Sequence, residues 1–212
     1  MIERTELFLR DTFASSTYLQ NHPSERAYRL EHSYRVANIA KNIAQAEGLD
    51  VTNAVIAGLL HDIAYCEEMK DSTDWKNHGR RSATIARPFL ESLGLADDSI
   101  NEICYGIAIH VDDEADFDWQ RTVFSEIVGD ADNIDRFDVY RIYETLQKQG
   151  FSEFSLEDKK SCVESMLEKL CRYKELKLAT DTSNALWQQR LDDYISFYNK
   201  LDLQIKNSFE IV

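Results

Sequence analysis

Histidines and aspartates beside apolar positions are the residues of this chain that could carry chemistry. The centre of the pattern is His61-Asp62, an adjacent pair that ends the apolar run Ala57-Gly58-Leu59-Leu60. Ionisable groups in such a run are costly to bury unless partners compensate them. The other residues of these types that fall beside apolar positions of predicted helices are His32, His78, His110 and Asp132.

A divalent cation would compensate this set, because it supplies positive charge as well as coordination. Each histidine taken alone is more typical of a hydrogen-bonded core residue, and only their coincidence with two carboxylates favours a metal. Imidazole and carboxylate donors without a thiolate suit one or two ions of Mn, Fe, Co, Ni or Zn, or else Mg. Adjacent helical residues diverge by about 100°, so a site that includes both His61 and Asp62 lies between their directions. There Asp62 could bridge two ions.

The elements that must position these residues are predicted to be helices, because apolar residues recur at helical spacing and only 2 Pro and 7 Gly interrupt the chain. We expect a first helix within residues 1–20, and a second from Ser24 as N-cap to Gly48. The others are expected from Asp50 or Thr52 to the His-Asp pair, from Asn77 to Gly94 with a kink or split at Pro88, from Asp98 to His110, and over residues 124–135, 139–146, 162–170 and 187–201. Residues 65–76 and 112–118 are predicted loops.

Composition limits the partners and the compartment. A net charge of −14 disfavours polymeric nucleic acid and membrane surfaces, whereas a small anionic substrate is compatible with a bound cation. No apolar segment approaches the roughly 18 residues of a membrane span, and we expect a cytoplasmic protein. The 4 cysteines form no C-x-x-C pair and are expected to be reduced. The length favours a single domain over residues 1–212.

Three segments resemble the HD-domain superfamily of metal-dependent phosphohydrolases. They are Arg29-Leu30-Glu31-His32-Ser33, Ala57-Gly58-Leu59-Leu60-His61-Asp62-Ile63 and Gly129-Asp130-Ala131-Asp132-Asn133-Ile134-Asp135. The resemblance spans residues 24–146 and implies a single all-α helical bundle of the HD-domain type, which the helices of residues 150–212 are expected to close. It further implies that His32, His61, Asp62 and Asp132 bind the metal, with Asp130 as the alternative to Asp132.

Two more histidines resemble the additional pair found in binuclear members of this superfamily. These are His78, which precedes Gly79, and His110, which ends Ile107-Ala108-Ile109-His110. The likeness implies a second metal bound by Asp62, His78 and His110. The alternative is a single metal, with the two histidines in contact with substrate.

The catalytic expectations follow from the metal. A metal-bound water is the expected nucleophile; Asp62 is the catalytic bridging ligand, and Asp135, one turn from Asp132, would orient a ligand or handle a proton. The chain has no G-x-x-x-x-G-K loop, so phosphates would be held by the metal and by basic side chains. The candidates are Lys76, Arg80 and Arg81, with Arg35 and Arg136 near other ligands, and their alternative role is ordinary surface charge.

The expected function is that of a metal-dependent phosphohydrolase, a monomer or homodimer, acting on a small nucleotide or other phosphate ester. One alternative is a di-iron oxygenase, because a similar ligand set serves oxygenases of the same superfamily. The other alternative is a non-catalytic module that binds nucleotides, although a protein that only binds has less need of every ligand.

Overall fold

The all-α prediction is confirmed by the structure, a computed structural model that describes residues 1–209. Within these residues there are ten α-helices and no strand. The helices are α1 (Ile2–Ser15), α2 (Thr17–Asn21), α3 (Pro23–Glu47), α4 (Val51–Leu60), α5 (Ser72–Ser92), α6 (Asp97–Ile109), α7 (Val123–Arg136), α8 (Val139–Lys148), α9 (Leu156–Tyr173) and α10 (Asp181–Lys206). Short 3₁₀ helices occupy Ile63–Cys66 and Phe151–Glu153.

The chain forms two compact units, Met1–Asp135 and Arg136–Val212, and residues 210–212 of the second lie outside the described part. Every residue that the sequence proposed for metal binding or catalysis belongs to the first unit. The expectations of one domain over residues 1–212, and of a bundle closed by residues 150–212, stay predictions.

Helix α3 carries His32 and is delimited by proline and glycine. It begins with Pro23, whose fixed φ and missing N–H suit the first position of a helix, and His22 occupies the N-cap. The prediction that Ser24 is the N-cap was wrong, because the proline starts the helix one residue earlier. The prediction for Gly48 is confirmed: it follows the helix in the left-handed conformation, with a φ of 69°.

Helix α4 brings His61 into the core of the first unit. The Asp50 side chain caps it by accepting a hydrogen bond from the Asn53 N–H at 2.8 Å. All residues from Asn53 to Leu60 are buried, so the His-Asp pair that follows lies in the interior. The helix approaches α3 closely at Gly58, where a Cβ would lie 2.6 Å from the Cα of Ala37. Only glycine permits this spacing.

Helix α5 begins earlier than predicted and is continuous through Pro88. It begins at Ser72 rather than at Asn77, because the Asp71 carboxylate accepts hydrogen bonds from the backbone N–H groups of Thr73 and Asp74. The predicted loop of residues 65–76 is therefore partly helical. Pro88 does not split the helix, which continues to Ser92. The one hydrogen bond that proline removes is tolerated in a helix that packs along α6.

Helices α6 and α7 complete the first unit. The segment between them includes residues 112–118, which are rich in aspartate and form a loop as predicted. The start of α7 is fixed by a reciprocal pair: the Ser125 N–H donates to the Thr122 hydroxyl, and the Thr122 N–H donates to the Ser125 hydroxyl. The face of α7 that carries Asp132 and Asp135 is buried. These two carboxylates are thus held inside the unit.

In the second unit, the three apolar stripes predicted over residues 139–146, 162–170 and 187–201 lie on α8, α9 and α10. An aromatic cluster packs Phe137 against Tyr173, Trp187 and Tyr194.

The four cysteines of the chain are free. None of the helices within residues 1–209 is long and apolar enough to span a membrane.

Candidate metal centre

Six side chains from five helical segments of the first unit converge on one place. His32 comes from α3, His78 from α5 and Asp132 from α7, while His61 and Asp62 directly follow α4, and His110 directly follows α6. The structure thus brings together all six residues that the sequence proposed as metal ligands. Whether they bind metal stays a prediction.

The first group of donor atoms contains His32, His61 and Asp132. The Nε2 atom of His32 lies 3.2 Å from that of His61 and 3.1 Å from Oδ1 of Asp132. One donor atom of each residue lies within 4.8 Å of the others, and all three residues are buried. The Oδ2 atom of Asp62 joins this group at 3.6 Å from His32 Nε2. Asp130, the alternative to Asp132, is buried as well but belongs to no such group among the described residues.

The second group is built around the other oxygen of Asp62. Its Oδ1 atom lies 3.1 Å from Nε2 of His78 and 3.6 Å from Nε2 of His110. The two imidazoles place their Nε2 atoms 3.1 Å apart. The glycine after His78 makes this possible, since a Cβ on Gly79 would lie 2.5 Å from the carbonyl oxygen of Ala108. Oδ1 also lies 3.6 Å from Nε2 of His61, whereas Oδ2 contacts His32 and Arg29, so the two oxygens of Asp62 contact different imidazoles.

The hydrogen bonds on the far side of each imidazole show that a cation fits this centre. The Nδ1 atoms of His61, His78 and His110 lie 2.8, 2.6 and 2.6 Å from the carbonyl oxygens three residues earlier in the chain. A carbonyl only accepts, so Nδ1 carries the proton and Nε2 carries a lone pair. Lone pairs that converge at hydrogen-bond distance repel one another unless a cation lies between them. The donor set suits a divalent metal with nitrogen and oxygen ligands.

The Asp135 carboxylate binds Nδ1 of His32, as the backbone carbonyls do for the other three histidines, and so leaves Nε2 directed at the centre. Its Nδ1 lies 2.7 Å from Oδ2 of Asp135, which also accepts from Arg35 Nε at 2.7 Å through its other oxygen. Asp135 therefore touches the outer edge of a proposed ligand and does not face the shared centre. Its geometry matches the expected role of orienting a ligand. His32 and Arg35 together outweigh burial and hold the pKa of Asp135 below its usual value.

The ionisation of the buried groups follows from these contacts. Burial lowers the pKa of His32, but its hydrogen bonds to Asp132 and Asp135 outweigh that effect and raise the pKa to about 9. Burial lowers the pKa of His61 to about 4. The pKa of Asp62 lies well below its usual value in spite of burial, because His61, His110, His78 and Arg29 surround it. Asp62 is therefore ionised, as a metal ligand must be.

The basic residues proposed to bind substrate are placed differently from one another. Arg80 pairs with Asp112 at 3.0 Å, and Arg81 pairs with Glu67 through two hydrogen bonds of 2.8 and 2.5 Å. Lys76 is exposed and has no ion pair within residues 1–209. Arg35 binds Asp135, and Arg136 is exposed. The part of these residues in substrate binding stays a prediction.

Arg29 is a residue of the centre that the sequence interpretation did not single out. Its Nη1 donates to Oδ2 of Asp62 at 3.1 Å, and its guanidinium lies 3.2 Å above the centroid of the Tyr65 ring. The side chain is 12% exposed. A signal was available, because Arg29 precedes His32 by three residues and so shares one face of α3.

Comparison with known proteins agrees with this geometry. The sequence profile of the HD domain family matches residues 29–139, more than half of the chain, and the chain belongs to that family. At the level of the family, it is a metal-binding hydrolase. A solved structure described as a predicted HD superfamily hydrolase from an uncultured Thermotogales bacterium has the same fold. It superimposes with a TM-score of 0.66 at 20% identity, over 95% of this chain and 91% of the other. No curated protein matches.

Proposed function

We propose that this protein is a metal-dependent phosphohydrolase that acts on a small nucleotide or another small phosphate ester. Membership of the HD domain family supports hydrolysis. The observation that carries the proposal is the arrangement at Asp62, which lies among four imidazole Nε2 atoms: Oδ2 faces that of His32, and Oδ1 faces those of His61, His78 and His110. Such a set would hold one or two divalent ions of Mn, Fe, Co, Ni, Zn or Mg.

The residues of the chain would each contribute to this reaction. A bound divalent metal supplies a water of lowered pKa and neutralises charge on phosphoryl oxygens. His32, His61, Asp62 and Asp132 would hold one ion, and Asp62, His78 and His110 a second. The carbonyls behind the histidines, together with Asp135, bind the Nδ1 atoms and so leave the Nε2 atoms directed at the shared centre, where they would hold the ions. Arg29 adds a fixed positive charge beside Asp62.

Charge supports a small anionic substrate and disfavours a polymeric one. The chain as a whole carries −14, which repels a long polyphosphate backbone. At the centre, the buried Arg29 offsets the charge of Asp62, and the histidine Nε2 atoms would bind metal ions that add positive charge. A single phosphate group that reaches the metal-loaded centre would meet a local potential of the opposite sign.

The proposal is tested by metal analysis combined with a substrate screen. The purified protein is analysed for bound metal, stripped with a chelator, reloaded with each of the six metals and assayed for release of phosphate or pyrophosphate. The panel contains nucleoside mono-, di- and triphosphates and sugar phosphates. We expect metal-dependent hydrolysis of at least one compound, equally fast with and without oxygen.

Two histidine variants provide matched controls. His61→Ala removes a buried Nε2 donor and is expected to be metal-poor and inert. His22→Ala removes an exposed imidazole whose described hydrogen bond is to the Tyr18 carbonyl, and it should retain both metal and activity. Undiminished hydrolysis by His61→Ala would refute the proposal. Oxygen consumption in place of hydrolysis would point to an oxygenase, and nucleotide binding without turnover in any metal would point to a binding module.

A further inference from the structure

An exposed tryptophan lies beside the metal centre without a role in it. Trp75 is 48% exposed, whereas the other large aromatic residues of Met1–Asp135 are buried or half-buried. Exposure of an indole ring is unfavourable by itself because its apolar surface stays in water. A group that covered the ring would remove this apolar surface from water.

Trp75 is tied to the metal centre through its backbone and through its ring. Its carbonyl oxygen accepts the hydrogen bond from Nδ1 of His78 at 2.6 Å, so its position is fixed relative to one proposed ligand. Its ring packs edge-to-face on Tyr65 at 5.4 Å between centroids, and Tyr65 in turn lies 5.0 Å from the His78 ring. The indole is therefore separated from the His78 imidazole by one aromatic ring.

The surroundings of the indole favour a flat aromatic ligand attached to a phosphate. The guanidinium of Arg29 lies 5.8 Å from the Trp75 ring and 3.1 Å from Asp62, so one cation joins the aromatic surface to the metal centre. The exposed Lys76 follows directly in the chain. Stacking on an aromatic side chain is available to every nucleobase, because each has a π face. A sugar phosphate without a base has no group of this kind.

We infer that Trp75 stacks on the nucleobase of the substrate while the phosphate lies at the metal centre, so that the substrate is a nucleotide rather than a base-free phosphate ester. The inference rests on the proposed function and narrows it. It assigns Trp75 as a specificity-determining residue, with Tyr65 supporting the indole from behind. The covering group is the base of the substrate itself, because Tyr65 and Arg29 both connect the indole to residues of the centre where the phosphate would bind.

The test compares ligands that differ only in the base. The nucleoside monophosphates of the four bases are compared with ribose 5-phosphate, and the triphosphates with inorganic tripolyphosphate. Binding to the metal-loaded protein is measured by calorimetry and by tryptophan fluorescence, and hydrolysis is measured in parallel. We expect tighter binding and a lower KM for at least one nucleotide than for its base-free counterpart, with quenching of Trp75 fluorescence.

Three variants separate stacking from a structural role. Trp75→Ala should raise the Kd and KM for the nucleotide by roughly tenfold or more, leave values for the base-free compound unchanged and retain bound metal. Trp75→Phe keeps a ring and should keep most of the preference while losing the quenching on ligand binding, since only the emission of Trp119 and Trp187 remains. Leu7→Ala removes another exposed apolar side chain, 59% exposed on α1, and should change nothing.

The outcomes distinguish this inference from the proposed function. If Trp75→Ala lost affinity equally for the nucleotide and its base-free counterpart, or for neither, the role of Trp75 would be overturned while the hydrolase proposal stands. Base-dependent binding with quenching, but no turnover in any metal, would overturn the hydrolase proposal and leave the stacking site intact. A protein that shows no preference for any nucleotide over its base-free counterpart would also overturn the inference.

Discussion

At the scale of single residues, the histidines of the centre are oriented by two different devices. His61, His78 and His110 each bond a carbonyl three residues earlier, so the local chain alone fixes the ring. His32 depends on Asp135, which lies 103 residues away. The orientation of three ligands is thus a local property, whereas that of the fourth depends on the packing of α3 against α7.

Removal of the Asp135 carboxylate should weaken metal binding without removing a ligand. In Asp135→Ala, His32 loses the acceptor for Nδ1, and Arg35 loses its buried partner. Loss of such a supporting contact typically costs about 10 to 100-fold in metal affinity. Asp135→Asn retains an acceptor oxygen and should be affected less. Competition with a chromophoric chelator measures the affinity, and an unchanged value for Asp135→Ala would show that His32 needs no orientation.

The pKa of His32 predicts how the stability of the metal-free protein varies with pH. The group titrates at about 9 in the folded protein and at 6.5 when unfolded, so the folded state holds the proton more tightly. The stabilisation is complete below pH 6.5 and is lost as the pH rises toward 9. The free energy of unfolding should fall by up to about 1.4 kcal/mol for each pH unit in that range.

Denaturant unfolding in the presence of a chelator measures this dependence. His32→Gln cannot hold the proton and serves as the control, so its curve should be flatter than that of the unmodified protein between pH 6.5 and 9. Parallel curves for the two proteins would refute the assignment of the effect to His32.

At the scale of the helices, apolar periodicity predicted the elements that have a buried stripe and missed those defined by capping. Helices α3, α4, α6 and α7 follow their stripes closely, which is why the proposed ligands fall on the helices expected for them. The start of α5 was missed because residues 72–76 carry no apolar periodicity. The helix begins there through the Asp71 cap, and the hydrogen bonds show that the chain uses this cap rather than Asn77.

The close approach of α3 and α4 predicts a strong effect of one methyl group. In Gly58→Ala, the added Cβ would lie 2.6 Å from the Cα of Ala37, and backbone atoms cannot yield without moving α4. Overpacking of this kind costs about 1–3 kcal/mol. Because α4 leads into His61 and Asp62, metal affinity should fall as well.

Gly129→Ala on α7 is the matched control. There an added Cβ would meet its nearest neighbour, His110, at 3.5 Å, an ordinary contact distance. This variant should be neutral or stabilised by up to about 1 kcal/mol through helix propensity. Thermal unfolding of the two variants checks the pair, and equal stabilities would contradict the close-packing argument.

At the scale of the whole molecule, the metal centre belongs entirely to one of the two units. All six proposed ligands lie in Met1–Asp135, on segments spread from α3 to α7. Pairwise proximity between these segments could not be read from the sequence, because helical periodicity gives the buried face of each helix but not its neighbours. The resemblance to the HD domain family supplied that information. The packing of α5 on α6 at Gly79 is the contact that joins the second histidine pair.

Metal binding should therefore stabilise the first unit, because the ligands link segments that are distant in the chain. A ligand that binds only the folded state stabilises it by about 2.7 kcal/mol at a free concentration of 100 times its Kd. We expect addition of the preferred metal to a chelated sample to slow amide hydrogen exchange in α3, α4, α5, α6 and α7. Asp132→Asn should lose most of this gain, whereas Asp97→Asn, which changes an exposed residue at the start of α6, should retain it. Exchange rates in these helices that do not respond to any of the six metals would contradict a metal site formed by the six residues.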